Sequence, residues 1–285
     1  MQASAPGSCG ELVQGLLDGQ NFLITCPISW YSSVRVSFEP SQEQCLSAVF
    51  QKTQLAIKKT LAYFEQDREF TFTIDSKLPH GKGMASSSAD IAAACVATAR
   101  ALQQQISPQE VEKIALSIEP TDGIFYKGIV AFGHLSGHPN EYLGQALPLQ
   151  IAIFDTGTAV DTLSFNKRPD LQELNRVNAP QIKKAYELVK LGFRTNNPAL
   201  IGQGATLSAM ANQSILYKPY LEQMRDIALR SGALGVNVAH SGTVVGLLFE
   251  GLTEAQLAAC QRDIVALDDK INFLGTASLV NGGVL

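Results

Sequence analysis

Two periods of hydrophobic residues alternate along the chain. Residues 22–26 form a short apolar, β-prone run, and residues 34–38 and 70–74 alternate apolar with polar positions, the period of half-buried strands. Between them, residues 43–65 are spaced as on a helix. The Ala-rich run 91–102 predicts a helix directly behind a Gly/Ser stretch, and residues 108–117 predict another. Strands are predicted at 129–132 and 149–154. Helices follow at 179–193, 198–212 and 219–231, then a strand at 243–249 and a helix at 253–266. Strands and helices mix without strict βαβ order, so an α+β fold is expected rather than a doubly wound sheet. No linker or repeat divides the chain. The expected boundary lies near residue 150, giving halves 1–150 and 151–285.

Composition narrows the function classes. The 285 residues are 46% hydrophobic and 17% charged, enough to bury a sizeable core. With a formal net charge of −4 and no basic stripe, sequence-independent nucleic-acid binding is not expected. No apolar stretch approaches the roughly 20 residues of a membrane-spanning helix, and the first residues, Met1 to Pro6, do not read as a signal peptide. The five cysteines (Cys9, Cys26, Cys45, Cys95 and Cys260) are scattered, with no Cys-x-x-Cys pair. They read as reduced, mostly buried thiols of a cytoplasmic protein.

The segment Pro79-His80-Gly81-Lys82-Gly83-Met84-Ala85-Ser86-Ser87-Ser88-Ala89-Asp90 carries the most chemistry. Its glycines let the backbone approach a ligand closely, and its serines offer hydroxyls. The helix behind it presents unpaired N–H groups and the positive end of its dipole, which suits phosphates. Lys82 adds a cation. Ser87 to Asp90 also fits a Ser-x-x-Asp capping box, a purely structural use of the same residues. The segment is neither a Walker A loop nor a Gly-x-Gly-x-x-Gly fingerprint.

Residues 79–89 resemble the second motif of the GHMP kinases, Pro-x-x-x-Gly-Leu-Gly-Ser-Ser-Ala, with Met84 and Ala85 in place of Leu and Gly. The run Pro6 to Gly15 resembles a shortened first motif, and Gly235 to Gly246 the Gly-rich third. Within that family, residues 9–12, 82–87, 118–122 and 237–242 resemble the L-threonine kinases of cobalamin biosynthesis. The resemblance implies a two-domain GHMP fold, with an N-terminal half like ribosomal protein S5 domain 2 and a ferredoxin-like C-terminal half. It also implies ATP- and Mg²⁺-dependent phosphorylation of the hydroxyl of free L-threonine.

The same resemblance assigns roles. Pro79, His80, Gly81, Lys82, Gly83, Met84, Ala85, Ser86, Ser87 and Ser88 would cradle the nucleotide. Ser87 and Glu119 would ligate Mg²⁺, with Ser86 and Glu112 as substitutes. Lys82 and Asp122 would be catalytic, Asp122 either orienting the substrate hydroxyl or holding the ammonium group. Ser8, Cys9, Gly10, Glu11, Asp122, His240, Ser241 and Gly242 would line the acceptor site, Glu11 facing the ammonium and His240 and Ser241 the carboxylate. Threonine, serine and homoserine differ by one methyl or methylene, worth roughly 1–3 kcal/mol in a pocket, so all three acceptors stay open.

Other readings are weaker. Asp155-Thr156-Gly157-Thr158 matches the Asp-Thr-Gly of aspartic proteases, but that chemistry needs two such carboxylates and the chain has one. His134 and His138 have a spacing usable by zinc without a third ligand nearby. A nucleotide-binding protein that has lost catalysis would not need Lys82, Ser87, Glu119 and Asp122 together.

Overall fold

The computed structural model describes residues 1–39, 50–157 and 170–285. The chain opens with two long strands, β1 (Gln2–Leu17) and β2 (Gln20–Ser37), paired antiparallel. Sequence patterning marks only fragments of them, because Pro6, Gly7, Gly10, Gly15 and Pro27 interrupt the alternation. The two predicted strands at 22–26 and 34–38 are one continuous β2. At one end it pairs with β3 (Thr71–Ser76) and at the other with β4 (Ile129–Phe132). The strand β5 (Asn140–Gly144) continues beyond β4. On the other side, β1 meets β7 (Gly235–Val238), followed by β8 (Val244–Phe249), β6 (Gln150–Asp155) and β9 (Asn272–Ser278). The result is a nine-stranded antiparallel sheet, order β5-β4-β2-β1-β7-β8-β6-β9 with β3 alongside β2.

Seven helices cover this sheet among the described residues: α1 (Gln51–Tyr63), α2 (Ser86–Ala101), α3 (Pro108–Leu116), α4 (Leu171–Thr195), α5 (Pro198–Asn212), α6 (Leu221–Arg230) and α7 (Glu254–Val265). The beginning of the helix predicted from residue 43 lies outside the described residues, as do Cys45 and Thr158. α4 starts eight residues earlier than predicted. Pro180 reads as the first residue of a helix, yet here it lies inside one.

β1 is buried from both ends by different partners. Ala3 and Ala5 join a core with Ile57 of α1, Ile91 and Cys95 of α2 and Val111 of α3. Further along, Cys9, Leu12 and Val13 join a second core with Tyr186 and Val189 of α4 and Ile201 of α5. A third core lies between α6, α7 and strands β6 to β8, around Met224, Phe249 and Ile264. The handover between the first two falls where the β1–β2 register shifts at Pro6/Gly7, Ser8/Glu11 and Glu11/Val13. Bulges re-aim side chains, and these sit beneath the site described next. The chain's end returns to the first half, with Leu285 and Ser4 exchanging backbone hydrogen bonds at 2.8 and 3.1 Å.

Burial pushes the Cys9, Cys26 and Cys260 thiols up and Cys95 up to about 12. Such thiols pack as small apolar groups and do not act as nucleophiles. No helix among the described residues is long and apolar enough to cross a membrane.

Candidate active site

Three glycine-bearing segments, far apart in sequence, interlock at the N-terminus of α2. The Lys82 carbonyl accepts the Thr243 and Val244 N–H groups at 3.0 and 3.3 Å, and the Met84 carbonyl accepts the Ser8 N–H at 3.0 Å. A Cβ on Gly242 would lie 2.1 Å from the Lys82 carbonyl oxygen, and one on Gly83 would lie 2.5 Å from the Ala239 Cβ. One on Gly10 would lie 2.4 Å from the Val238 carbonyl carbon. The backbones thus approach as closely as atoms allow, and only glycine fits.

The capping box expected at Ser87–Asp90 is not formed. Ala85 is the N-cap, left-handed at φ 54°, with no side-chain cap. Ser87 lies inside the first turn and sends its Oγ to Glu119, while Asp90 accepts a hydrogen bond from the Ser32 Oγ. The first N–H groups of α2 therefore stay uncapped by side chains. They follow Gly81 and Gly83, both left-handed at φ 73° and 80°, and an uncapped helix start of this kind is anion-receptive.

Glu119 follows the last turn of α3, its N–H bonded to the Ala115 carbonyl at 3.0 Å. Its carboxylate accepts from the Ser87 Oγ on one oxygen and pairs with Lys52 of α1 on the other. Ser87, not Ser86, makes this contact. Glu112 is elsewhere: its carboxylate accepts the Tyr126 hydroxyl. A hydroxyl and a carboxylate oxygen in contact form a donor set for a hard divalent cation that retains waters. Among the described residues, no group of three or more His, Cys, Asp and Glu builds a metal site from protein alone. His138 is exposed, whereas His134 packs edge-on against His240 at 5.1 Å.

Asp122, three residues beyond Glu119, meets Ser88, the α2 residue next to Ser87. Its N–H donates to the Ser88 Oγ, and its Oδ2 accepts from the same hydroxyl, both at 3.3 Å. Burial raises its carboxyl to about 6; the Ser88 hydrogen bond works against this and the Glu119 charge adds to it. Glu11, on the bulged middle of β1, is 4% exposed and its Oε2 has no hydrogen-bond partner. Burial, and then the Asp122 charge, push its carboxyl well up, against the opposing hydrogen bond with Thr25. Ser8 Oγ and His134 Nδ1 are also buried without partners. Unpaired buried polar atoms are costly to fold and mark a place prepared for a ligand. Cys9, fully buried, backs this wall, its carbonyl held by the Asn237 amide.

The 240–242 turn faces them. His240 Nδ1 meets Gln14 Oε1 at 2.8 Å, and burial, with His134 and Lys218 nearby, lowers its pKa to about 3. Burial lowers His134 to about 4, so both rings are neutral at physiological pH. Ser241 is half-buried between His240 and Gly242. Lys218, 2% exposed, donates to the Gly242 carbonyl at 2.8 Å and is lowered to about 8 by burial. Pro79 and His80 form the outer lip, with the His80 ring 6.4 Å from Phe50.

Sequence reasoning passes over Lys52, Gln14 and Lys218. Nothing local marks them; Lys218 in particular is one lysine before a proline. Lys82 does not point into solvent as a lone cation. Its Nζ lies 2.6 Å from Asp155 Oδ2, so the Asp-Thr-Gly segment serves as an ion-pair partner of the glycine loop. A cavity of about 830 Å³ lies at the opposite end of α2, between Val96, Arg100, Ile106, Phe125 and Lys127. At 1.5 Å per residue that is about 20 Å from Ser87.

The chain matches the GHMP kinases N terminal domain over residues 49–128 and the GHMP kinases C terminal domain over residues 185–263. Among curated proteins it is 34% identical to an L-threonine kinase of Salmonella typhimurium, over 87% of this chain and 82% of that one. An L-threonine kinase of Citrobacter freundii is also 34% identical, over 87% of this chain and 86% of the relative. The Methanococcus jannaschii mevalonate kinase structure superposes with TM-score 0.73 at 16% identity, covering 98% of both chains. A Cytophaga hutchinsonii homoserine kinase structure superposes with TM-score 0.68 at 18% identity, covering 100% of this chain and 97% of the other.

Proposed function

The chain belongs to the GHMP kinases, and from that premise we propose that it transfers the γ-phosphoryl group of ATP to the side-chain hydroxyl of free L-threonine. The product, O-phospho-L-threonine, supplies the aminopropanol phosphate linker of the cobalamin nucleotide loop. The observation that carries the acceptor class is the pair Glu11 and Asp122. Two poorly hydrated carboxylates face the same space, and Glu11 Oε2 is unpartnered. That arrangement calls for a cationic group, and the ammonium of an amino acid provides one. Sugars and mevalonate carry no such group.

ATP phosphates lie against loop 79–88 and the uncapped start of α2, with the acceptor between the halves 1–150 and 151–285. Ser87 and Glu119 would hold Mg²⁺ through the Glu119 oxygen that accepts from Ser87, while Lys52 pairs with the other oxygen. When bound, Mg²⁺ screens the charge of the phosphates. Ser88 keeps Asp122 fixed toward the acceptor, where Asp122 orients the threonine hydroxyl and takes its proton as the new O–P bond forms and the bond from the γ-phosphorus to the departing ADP breaks. A carboxyl raised to about 6 is a better proton acceptor than an ordinary aspartate and is still ionised at pH 7.5. The threonine carboxylate faces His240 and Ser241, with the buried Lys218 ammonium behind them on the Gly242 carbonyl.

Ser87→Ala and Glu119→Ala are expected to lower kcat by roughly 10²-fold or more. Melting should shift by no more than about 1 kcal/mol of stability, as for partly exposed sites. Steady-state rates and thermal melts of the two variants check this. Turnover surviving both changes would remove the Mg²⁺ assignment.

A further inference from the structure

We propose that Asp155 is a positioning residue for Lys82, fixing the Lys82 ammonium beside the phosphate loop so that it meets ATP in one orientation. This rests on the phosphoryl-transfer reading above.

Asp155 ends β6, a central strand paired with Val244 of β8 on one side and Asn272 of β9 on the other. Its backbone is therefore rigid, and its side chain is 6% exposed. One carboxylate oxygen accepts the Gly157 N–H at 3.1 Å, and the other lies 2.6 Å from Lys82 Nζ. Burial pushes this carboxyl up, but the Lys82 ammonium, the Thr243 side chain and the Gly157 N–H outweigh it, so Asp155 sits below the usual carboxylate range and is charged. Lys82 differs from its partner. It sits between two left-handed glycines, docks its carbonyl on Thr243 and Val244, and keeps 36% of its side chain exposed.

A free lysine has four rotatable bonds and loses much of its rotamer freedom on being ordered. Here a rigid, buried carboxylate has already ordered it, using one of its three donors. The ammonium stays partly exposed, on a residue four positions before the uncapped turn of α2. Preorganisation of this kind favours the phosphate-bound geometry without adding a contact to the ligand. The alternative is a strap that merely ties loop 79–85 to the sheet, and the two make different kinetic predictions.

The experiment is a four-protein cycle of wild type, Lys82→Met, Asp155→Asn and Lys82→Met/Asp155→Asn, read by initial rates with ATP and L-threonine varied separately and by thermal melting. Positioning predicts that Asp155→Asn lowers kcat/KM for ATP at least tenfold while KM for threonine stays within twofold. Lys82→Met should lower the melting temperature by leaving a buried charge unpaired. The double variant should regain that stability but be no slower than Lys82→Met alone, because Asp155 acts only through Lys82. Normal kcat/KM for ATP in a folded Asp155→Asn overturns the proposal, as does a double variant whose rate loss is the product of the single losses. Should Asp155→Asn fold poorly, Asp155→Glu advances the same charge by one methylene and is read on the same ATP ratio, an unchanged ratio overturning the proposal. A wild type inactive on every acceptor would refute the kinase reading instead. The pair would then be read by calorimetric ATP titration, with tenfold weaker binding to Asp155→Asn expected and equal binding overturning it.

Discussion

Asp122 touches Ser88, shares its surroundings with Glu11 and Glu119, and is held at about 6, above the ordinary 3.9 of an aspartate. A carboxyl raised by folding contributes stability that is full below about pH 4 and is lost as pH climbs through about 6. Asp122→Asn removes that loss. The variant is therefore expected to melt a few degrees above wild type at pH 7.5, to differ little at pH 4, and to lose most of its turnover. Melting curves at the two pH values check the sign; an equal difference at both would mean that Asp122 is not raised. Ala85 poses a similar question. A left-handed alanine costs about 1–2 kcal/mol, of which glycine's greater chain entropy returns about 0.5–1. Ala85→Gly should thus raise stability by up to about 1 kcal/mol, whereas Ala93→Gly, buried in the middle of α2, should cost about that much. Urea titration of both variants separates the two.

The glycine loop, β1 and the 239–244 segment act as one unit because their backbones touch. Gly81 has φ 73°, but a Cβ there would have nothing within 4 Å, whereas a Cβ on Gly242 would lie 2.1 Å from a carbonyl oxygen. Gly81→Ala is therefore expected to cost about 1–2 kcal/mol of local strain and to keep ATP binding. Gly242→Ala should cost more, about 1–3 kcal/mol of overpacking or beyond, and open the loop, with weaker ATP affinity by calorimetry. Comparable losses from both would argue against the interlock. Much of this unit is legible in the sequence: the Gly/Ser loop, the helix behind it and the two other Gly-rich segments. The capping box fails because Ser87 and Asp90 find tertiary partners in Glu119 and Ser32, which local spacing cannot reveal. β5 and β9 escape the pattern because both are edge strands with mixed exposure, where alternation fades. β7 escapes it because its four residues, all buried, have no period to show.

At the scale of the molecule, a single antiparallel sheet runs from β5 to β9, and the site sits where β1 hands over between two cores. The α+β class follows from the mixture of periods, but the join does not. The register between β1 and β7 rests on Glu11 opposite Val238, a long-range pairing that no local pattern encodes. Lys82 with Asp155, Lys52 with Glu119 and Lys218 with Gly242 are likewise pairings across the fold. Residue types mark such groups as candidates, and only the folded chain says which of them meet.

The central claim is phosphorylation of an amino-acid hydroxyl, and the most direct test is product formation by the purified protein with ATP and Mg²⁺. Parallel reactions would contain L-threonine, L-serine, L-homoserine, galactose or mevalonate, with phosphorus NMR to identify the phosphate ester. The account predicts O-phospho-L-threonine as the preferred product and no ester from galactose or mevalonate. Preferred phosphorylation of galactose or mevalonate, or no ester from any amino acid, would contradict it.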